Sequence, residues 1–387
     1  MAGIYIHIPF CKQACTYCNF HFSTTFHFKK KMIDAICKEI ELQKNYIPGD
    51  TISTIYFGGG TPSVLNGQEI EMILSTIVRN FPVDAKEITL EANPDDLTIE
   101  KILDMQHAGI SRLSIGIQSF FDEDLRWMNR AHSSAQAFEC LELAQSGGFE
   151  NISADLIYGI PEQSDERWKF NVQQLIERNI SHISCYALTV EPETALFHSI
   201  EKKKMPPPDE DQAAKNFYTL IDLLTKNKYE HYEISNFAKE KKYAQHNSSY
   251  WKGEKYLGIG PSAHSFNGIS RQWNVANNAL YIQNIEQENL PAEIEVLTPE
   301  NLLNEKIMTS LRTQWGLPLQ VFRKEIGEED FLRFRKAIDR HIQKGNLEIQ
   351  NERLLLTQQA KFFADGVISD LFFTGQEKTG NDIFPAL

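Results

Sequence analysis

The sequence predicts an α/β fold: a partial (β/α)6 barrel followed by a C-terminal winged-helix-like domain. Three observations lead there. Short β-branched runs alternate with longer segments of helical period, residues of unusual chemistry gather where the runs end, and the last part of the chain changes to helices followed by one hairpin.

The runs are Ile4 to Ile8, Ile52 to Phe57, Glu87 to Glu91, Arg112 to Ile117, Ile152 to Ile157 and His182 to Leu188. Their brevity and β-branched content predict buried strands. Between them KKKMIDAICKEIELQ, GQEIEMILSTIVRNF, TIEKILDMQHAG, SAQAFECLELAQSG and DERWKFNVQQLIERN carry helical spacing. Units in sequential order give an incomplete barrel, and a different strand order gives a doubly wound sheet. Spacing alone does not separate the two. The strand ends favour the barrel: CxxxCxxC follows the first run, GGGTP the second and ANP the third, Gln118 lies beyond the fourth, and Asp155 is in the fifth. A shared barrel mouth collects chemistry in this way.

MPPPDEDQ breaks the alternation near residues 205 to 212 and precedes a predicted helix to about Leu224. Three domains follow: a barrel over 1–204, a barrel-closing extension over 205–292, and a helical, winged-helix-like domain over 293–375. The last starts with Thr298, Pro299 and Glu300, a helix-start signal. GNLEIQNERLLLT reads as a hairpin turning at Gln350 to Glu352.

Of 387 residues, 42% are hydrophobic and 24% charged, the balance of a globular protein. The net charge of -13 opposes broad docking on nucleic acid or an anionic membrane. Arg323, Lys324, Arg333, Arg335, Lys336 and Arg340 are diluted by Glu325, Glu328, Glu329 and Asp330, which reads as a solvated face rather than a DNA-binding one. The N-terminus has no secretory pattern, and no apolar run reaches the roughly 20 residues that cross a bilayer, so a cytoplasmic protein is expected.

Cys11, Cys15 and Cys18 fall within eight positions, where thiolates suit zinc or an iron-sulfur centre. A zinc site would need completion by His7 or His21. Three thiolates on a four-iron cluster leave one iron open to an exchangeable ligand, and Phe20 does not ligate metal. Cys37, Cys140 and Cys185 sit in apolar patterns and read as core. Gly58 to Pro62 fit neither GxGxxG nor a P-loop; they suit a tight turn, or backbone carbonyls holding an amino group. Glu91, Gln118 and Asp155 could hold an ammonium and ribose hydroxyls, and Arg130 a carboxylate. Each alone is equally a satisfied strand-end residue or a surface ion pair.

CxxxCxxC, GGGTP, EANP, GIQSF and DLIYGIP, in this order, resemble the radical-SAM superfamily, specifically its coproporphyrinogen-oxidase-like branch, over roughly residues 1 to 200. The resemblance implies a [4Fe-4S] cluster on Cys11, Cys15 and Cys18, and an S-adenosylmethionine (SAM) site lined by Tyr5, Gly59, Gly60, Thr61, Glu91, Gln118, Arg130 and Asp155. It further implies one-electron reductive cleavage of SAM, with the electron from a donor such as a flavodoxin or ferredoxin.

Oxidases of this branch resemble CxxxCxxCxC and carry an N-terminal extension. Here Phe20 stands at the last position and ten residues precede Cys11. HNSSYW at 246 to 251, followed by YLGIGPSAHSF, resembles instead the HemW-type haem chaperones. That resemblance implies haem binding and transfer to an acceptor protein, with membrane contact only through the acceptor. His246 could then offer an imidazole to iron, with Tyr250 and Trp251 covering the porphyrin. The other reading is an aromatic cap in which His246 only hydrogen-bonds, and His264 is expected to be supporting or structural. A porphyrinogen oxidase or a radical methyltransferase is the catalytic alternative, although a second cofactor motif for the latter is missing from the sequence.

Overall fold

A computed structural model describes residues 1–374, so residue 375, the predicted end of the third domain, lies outside the described residues. The described residues divide into two compact units, Met1–Glu295 and a second that begins at Val296.

The first unit opens with the alternating elements β1 (Ala2–Ile8), α1 (Lys29–Leu42), β2 (Ile52–Gly59), α2 (Gly67–Asn80), β3 (Val83–Ala92), α3 (Ile99–His107) and β4 (Arg112–Gln118). It continues through α4 (Asp122–Trp127), α5 (Ser134–Ser146), β5 (Ile152–Tyr158), α6 (Asp165–Glu177) and β6 (His182–Ala187). The helices start where side chains satisfy the free amides: Asn66 with Glu69, and Ser133 with Gln136, form capping boxes, while Thr98 and Ser164 cap α3 and α6.

Strands β1 to β6 pair in sequence order, all parallel. That order separates the two architectures. A doubly wound sheet reverses direction partway, whereas uniform right-handed crossovers leave every helix on one side and curl the sheet around the other. Alternation along the strands matches. Ile4, Ile6, Ile8, Ile55, Phe57, Leu90, Leu113, Ile115 and Leu156 are buried on the helix side. The opposite face is polar: Gly3, Thr54 and Glu87 form one row in register, and Tyr5, Tyr56 and Thr89 the next.

Residues 205–292 extend this sheet at both edges and carry a short helix between the added strands. After α7 (Ala195–Glu201) and α8 (Glu210–Lys226), β7 (Glu230–Glu233) and β8 (Asn236–Ala238) add beyond β6. The chain then passes through α9 (Gln245–Trp251) to β9 (Lys255–Ile259), which pairs parallel with β1. Then β10 (His264–Phe266), β11 (Ser270–Asn274), α10 (Asn278–Glu286) and β12 (Ala292–Val296) complete a twelve-stranded sheet of linear order. A buried carboxylate ties this edge to the barrel: Glu39 of α1 accepts from Gly260 N (2.8 Å) and Asn274 Nδ2 (2.7 Å).

The second unit holds α11 (Pro299–Leu311), β13 (Leu317–Pro318), α12 (Leu319–Ile326), α13 (Glu328–Gln343), β14 (Leu347–Gln350), β15 (Arg353–Leu356) and α14 (Ala364–Ser369). Thr298 caps α11, as the sequence predicts. The β14–β15 hairpin closes Gln350 onto Arg353, so its two-residue turn is Asn351–Glu352, both at positive φ as a tight hairpin requires. Three helices with β13 between the first two, then the β14–β15 hairpin, in a three-stranded sheet ordered β13-β15-β14, give the winged-helix arrangement. Three of its basic residues are paired: Arg323 with Glu328 (2.7 Å), Arg333 with Glu329 (2.5 Å) and Arg335 with Asp339 (2.9 Å). Among the described residues no helix is long and apolar enough to cross a membrane.

Candidate functional site: cysteine loop and barrel mouth

The loop after β1 is held in place by backbone bonds. Cys11 N donates to Ser23 O (3.0 Å) and Ser23 N to Pro9 O (2.9 Å), which closes its neck. Thr16 N donates to Met128 O (3.1 Å) at the end of α4, and Leu196 N of α7 donates to Thr16 O (2.8 Å). Tyr17 packs into the apolar cluster of Leu125, Met128, Ile157, Ile160, Leu188 and Leu196. Such bonds contribute roughly 1 kcal/mol each and keep the three thiols on one short loop.

The sulfurs already face donors. Thr61 Oγ1 donates to Cys11 Sγ (3.3 Å), and Arg130 Nη1 donates to Cys15 Sγ (3.3 Å). Burial pushes the Cys11 thiol up to about 11 and the Cys18 thiol up to about 12, so metal binding here must displace protons. Zinc completed by His7 or His21 fits poorly. His7 bonds to His21 O (2.9 Å) and Tyr5 OH (3.2 Å), and His21 Nε2 to Asn278 Oδ1 (2.8 Å). Among the described residues no three His, Cys, Asp or Glu side chains converge on a single ion.

The glycines after β2 are packing positions first. A Cβ at Gly59 would lie 2.6 Å from the His7 ring, and one at Gly60 would lie 2.8 Å from backbone atoms of Ile8 and Phe10. Gly59, at φ 104, donates its N–H to Glu91 Oε2 (3.2 Å). Glu91 also accepts from Tyr56 OH (2.7 Å), and its carboxyl is raised to about 7, first by burial and then by Asp155 after the opposing Tyr56 bond. Asp155, held by Ser114 Oγ (3.3 Å), is raised to about 6 by burial.

Arg130 is more committed than the sequence suggests. Its Nη2 donates to Asn93 Oδ1 (2.7 Å) and Gly116 O (3.0 Å), so it braces the cysteine loop against β3 and β4. Gln118 stands in the left-handed region at φ 62, a strained position for its residue type. Gln118 Oε1, Asp155 Oδ1 and Arg130 Nε are buried without a hydrogen bond, as acceptors and a donor awaiting a polar ligand would be.

His246 lies deep in the lumen. It is 1% exposed, with Nδ1 on Thr54 Oγ1 (2.8 Å) and Nε2 on Tyr250 OH (2.7 Å), and its ring stacks on Tyr56 at 5.1 Å. Thr54 and Gly3 lie at the N-terminal end of the strands, opposite the cysteine loop. Glu87 accepts the N–H groups of Gln245 and His246 (3.0 Å each) and lies 3.9 Å from Arg112. Helix α9 therefore plugs the barrel floor, and His246 with Tyr250 belongs to that plug; Trp251 ends the same helix. Both ring nitrogens are engaged inside the lumen, the arrangement of a cap in which His246 hydrogen-bonds. Sequence reasoning also missed Tyr17, Tyr56 and Asn93. Asn93 and Tyr56 could have been found by strand alternation, two residues from Glu91 and Gly58 respectively.

Residues 5–174 match the radical SAM superfamily, and residues 297–363 match the HemN C-terminal domain. The heme chaperone HemW of Bacillus subtilis is 31% identical over 374 residues, covering 95% of this chain and 98% of the relative. The chain belongs to the HemW family. The Escherichia coli heme chaperone HemW is 38% identical over 270 residues, 68% of this chain and 69% of that one. The coproporphyrinogen III oxidase HemN of E. coli superposes with a TM-score of 0.82 at 23% identity, over 96% of this chain and 90% of its own, which shows a shared fold. For a HemW-family radical-SAM chain, a [4Fe-4S] cluster and SAM follow from the family. The mouth fits them: Cys11, Cys15 and Cys18 as thiolate ligands, and Gln118 and Asp155 with unmet polar atoms.

Proposed function

We propose that this chain is a haem carrier that binds haem beside its cluster and SAM site and passes it to acceptor proteins. The observation that carries the reading is end-to-end similarity to HemW, 95% of this chain against 98% of the relative. When bound, the cluster supplies an electron to SAM. Cys11, Cys15 and Cys18 hold the cluster, with Thr61 and Arg130 stabilising thiolate charge through their hydrogen bonds. Glu91 takes the ammonium of SAM, Asp155 and Gln118 its ribose hydroxyls, and Arg130 Nε its carboxylate, with Tyr5 and the glycine turn shaping the wall. Phe20, 67% exposed two residues after Cys18, leaves an apolar surface where a further ligand would stand in an oxidase-like sequence. A flavodoxin or ferredoxin supplies electrons, and the cytoplasm is the compartment.

The test uses anaerobically reconstituted protein loaded with haem and mixed with individual haem-free haemoproteins, with apomyoglobin as an unspecific sink. The expected result is at least one acceptor loaded faster than free haem loads it. Equal rates from free haem and from loaded protein for every acceptor overturn the proposal. Coproporphyrinogen III with SAM and reductant is the second arm; multiple-turnover formation of protoporphyrinogen IX would favour the oxidase instead.

A further inference from the structure

A line of hydrogen bonds runs through the lumen from the floor toward the mouth and ends on Asp155. Strands β4, β5 and β6 place Ser114, Ser153 and His182 in one row in register, with Asp155 and Ser184 in the next row toward the mouth. His182 and Ser153 are fully buried, and the buried Tyr232 reaches His182 from β7.

The direction of the line is set at the imidazole. Burial, followed by the Arg112 guanidinium, holds His182 well below its ordinary value, so the ring is neutral and carries one proton. Its Nε2 lies 2.7 Å from Tyr232 OH and its Nδ1 2.7 Å from Ser153 Oγ. Ala244 N, at the start of α9, donates to the Tyr232 oxygen (3.3 Å), which leaves the phenol proton to face Nε2. Nε2 is then the acceptor, and Nδ1 carries the proton and donates to Ser153. Ser153 in turn donates onward, to Ser184 Oγ (3.2 Å) or to Asp155. Burial raises the Asp155 carboxyl, and Ser184, then Arg112, Ser114 and Ser153, hold it down. Its Oδ2 accepts from Ser114 Oγ (3.3 Å), while Oδ1 is buried without a hydrogen bond. The opposite tautomer reverses the line: Ser153 would donate to Nδ1 and turn away from the carboxylate.

We propose that His182 is a positioning residue for the SAM site. Held by Tyr232 with its proton on Nδ1, it directs the Ser153 and Ser184 hydroxyls at Asp155 and keeps that carboxylate an acceptor for the ribose hydroxyls. The proposal rests on the assignment of Asp155 to the ribose and deepens it.

The first arm of the test needs no cofactor. Metal-free full-length protein with isotope-labelled histidine is read by proton–nitrogen correlation spectra, the His182 signals being identified by their loss in His182→Asn. The expected spectrum has a protonated Nδ1 and a bare Nε2, and Tyr232→Phe loses that single pattern. A proton on Nε2 in the wild type overturns the proposal whatever the variants do. The second arm is calorimetric titration of SAM into reconstituted protein of wild-type iron content. His182→Leu is expected to bind about tenfold more weakly, and His182→Asn, whose amide can stand where the Nδ1–H stood, within about threefold of wild type. An asparagine variant as weak as the leucine one would show that only the bulk of the ring counts, and overturns the proposal. Wild-type affinity in His182→Leu does the same, and both results leave the SAM site standing. Wild-type protein that takes up its cluster yet binds no SAM sinks the SAM-site reading and this proposal with it.

Discussion

At the floor of the lumen, His246 has both ring nitrogens engaged, Glu87 takes two backbone amides, and His182 is held between Ser153 and Tyr232 at 2.7 Å each. At the mouth, Gln118 Oε1, Asp155 Oδ1 and Arg130 Nε are buried without a partner, and Gln118 holds a left-handed backbone. Both ends are polar and both lie inside one sheet. The difference is that the floor's histidines and Glu87 find their partners within the chain, although Arg112 Nε and Ser248 Oγ there do not, whereas at the mouth the unpaired atoms lie around the cysteine loop. Buried unpaired polar atoms cost about 1–3 kcal/mol each, so a ligand that meets them gains what the fold leaves unmet. A motif of histidine and aromatics is therefore no guide to a ligand until its hydrogen bonds have been counted.

The largest expected effect concerns the mouth. Replacing Cys11, Cys15 and Cys18 together by serine should abolish iron and sulfide uptake on anaerobic reconstitution while the circular dichroism of the metal-free protein persists, because the loop is closed by backbone bonds through Ser23, Met128 and Leu196. Wild-type iron content in the triple variant would break the assignment. The floor gives the opposite pattern. His246→Ala removes a buried ring and leaves Thr54 and Tyr250 without their partner, and should cost the metal-free protein about 3–5 kcal/mol in denaturant unfolding. Iron uptake by the folded fraction should be unchanged. A loss under about 1 kcal/mol would mean that the plug is not what holds α9.

How much of this the sequence reveals depends on how far apart the partners lie along the chain. The six strands and the five helices read from spacing all form, because each rests on local periodicity and caps such as Asn66 and Ser133. The cysteine loop is legible for the same reason: its three thiols span eight positions. The floor is not. His246 meets Thr54 across 192 residues, and Glu39 is buried by partners from 260 to 281. The strand order that distinguishes a barrel from a doubly wound sheet is likewise absent from spacing, since both use the same βα units. Arg130 illustrates a third case: its placement near the mouth is anticipated, but its engagement with the Cys15 sulfur, Asn93 and a backbone carbonyl depends on a loop conformation that no motif encodes.

A smaller effect sharpens the comparison within the mouth itself. The Glu91 carboxyl is raised to about 7 because burial opposes its charge. The sign follows from linkage: a carboxyl raised in the folded state favours folding at low pH, and that contribution is lost as pH rises from the ordinary value near 4.3 through about 7. Glu91→Gln keeps the shape and removes the charge, so at pH 8 it should stabilise the metal-free protein, on the order of 2 kcal/mol, with little effect at pH 4. Ligand binding should run the other way. An ammonium partner favours the ionised carboxylate, so SAM affinity of the reconstituted protein, measured by calorimetry, should rise about tenfold between pH 6 and 8. The glutamine variant should bind more weakly and lose that slope. If it became more stable yet kept the wild-type affinity and pH dependence, the Glu91 carboxylate would be a strained wall residue, and the ammonium would have to be met by the glycine-turn carbonyls or by Asp155. The stability measurement and the binding measurement thus separate a charge kept for a ligand from a charge the fold merely tolerates.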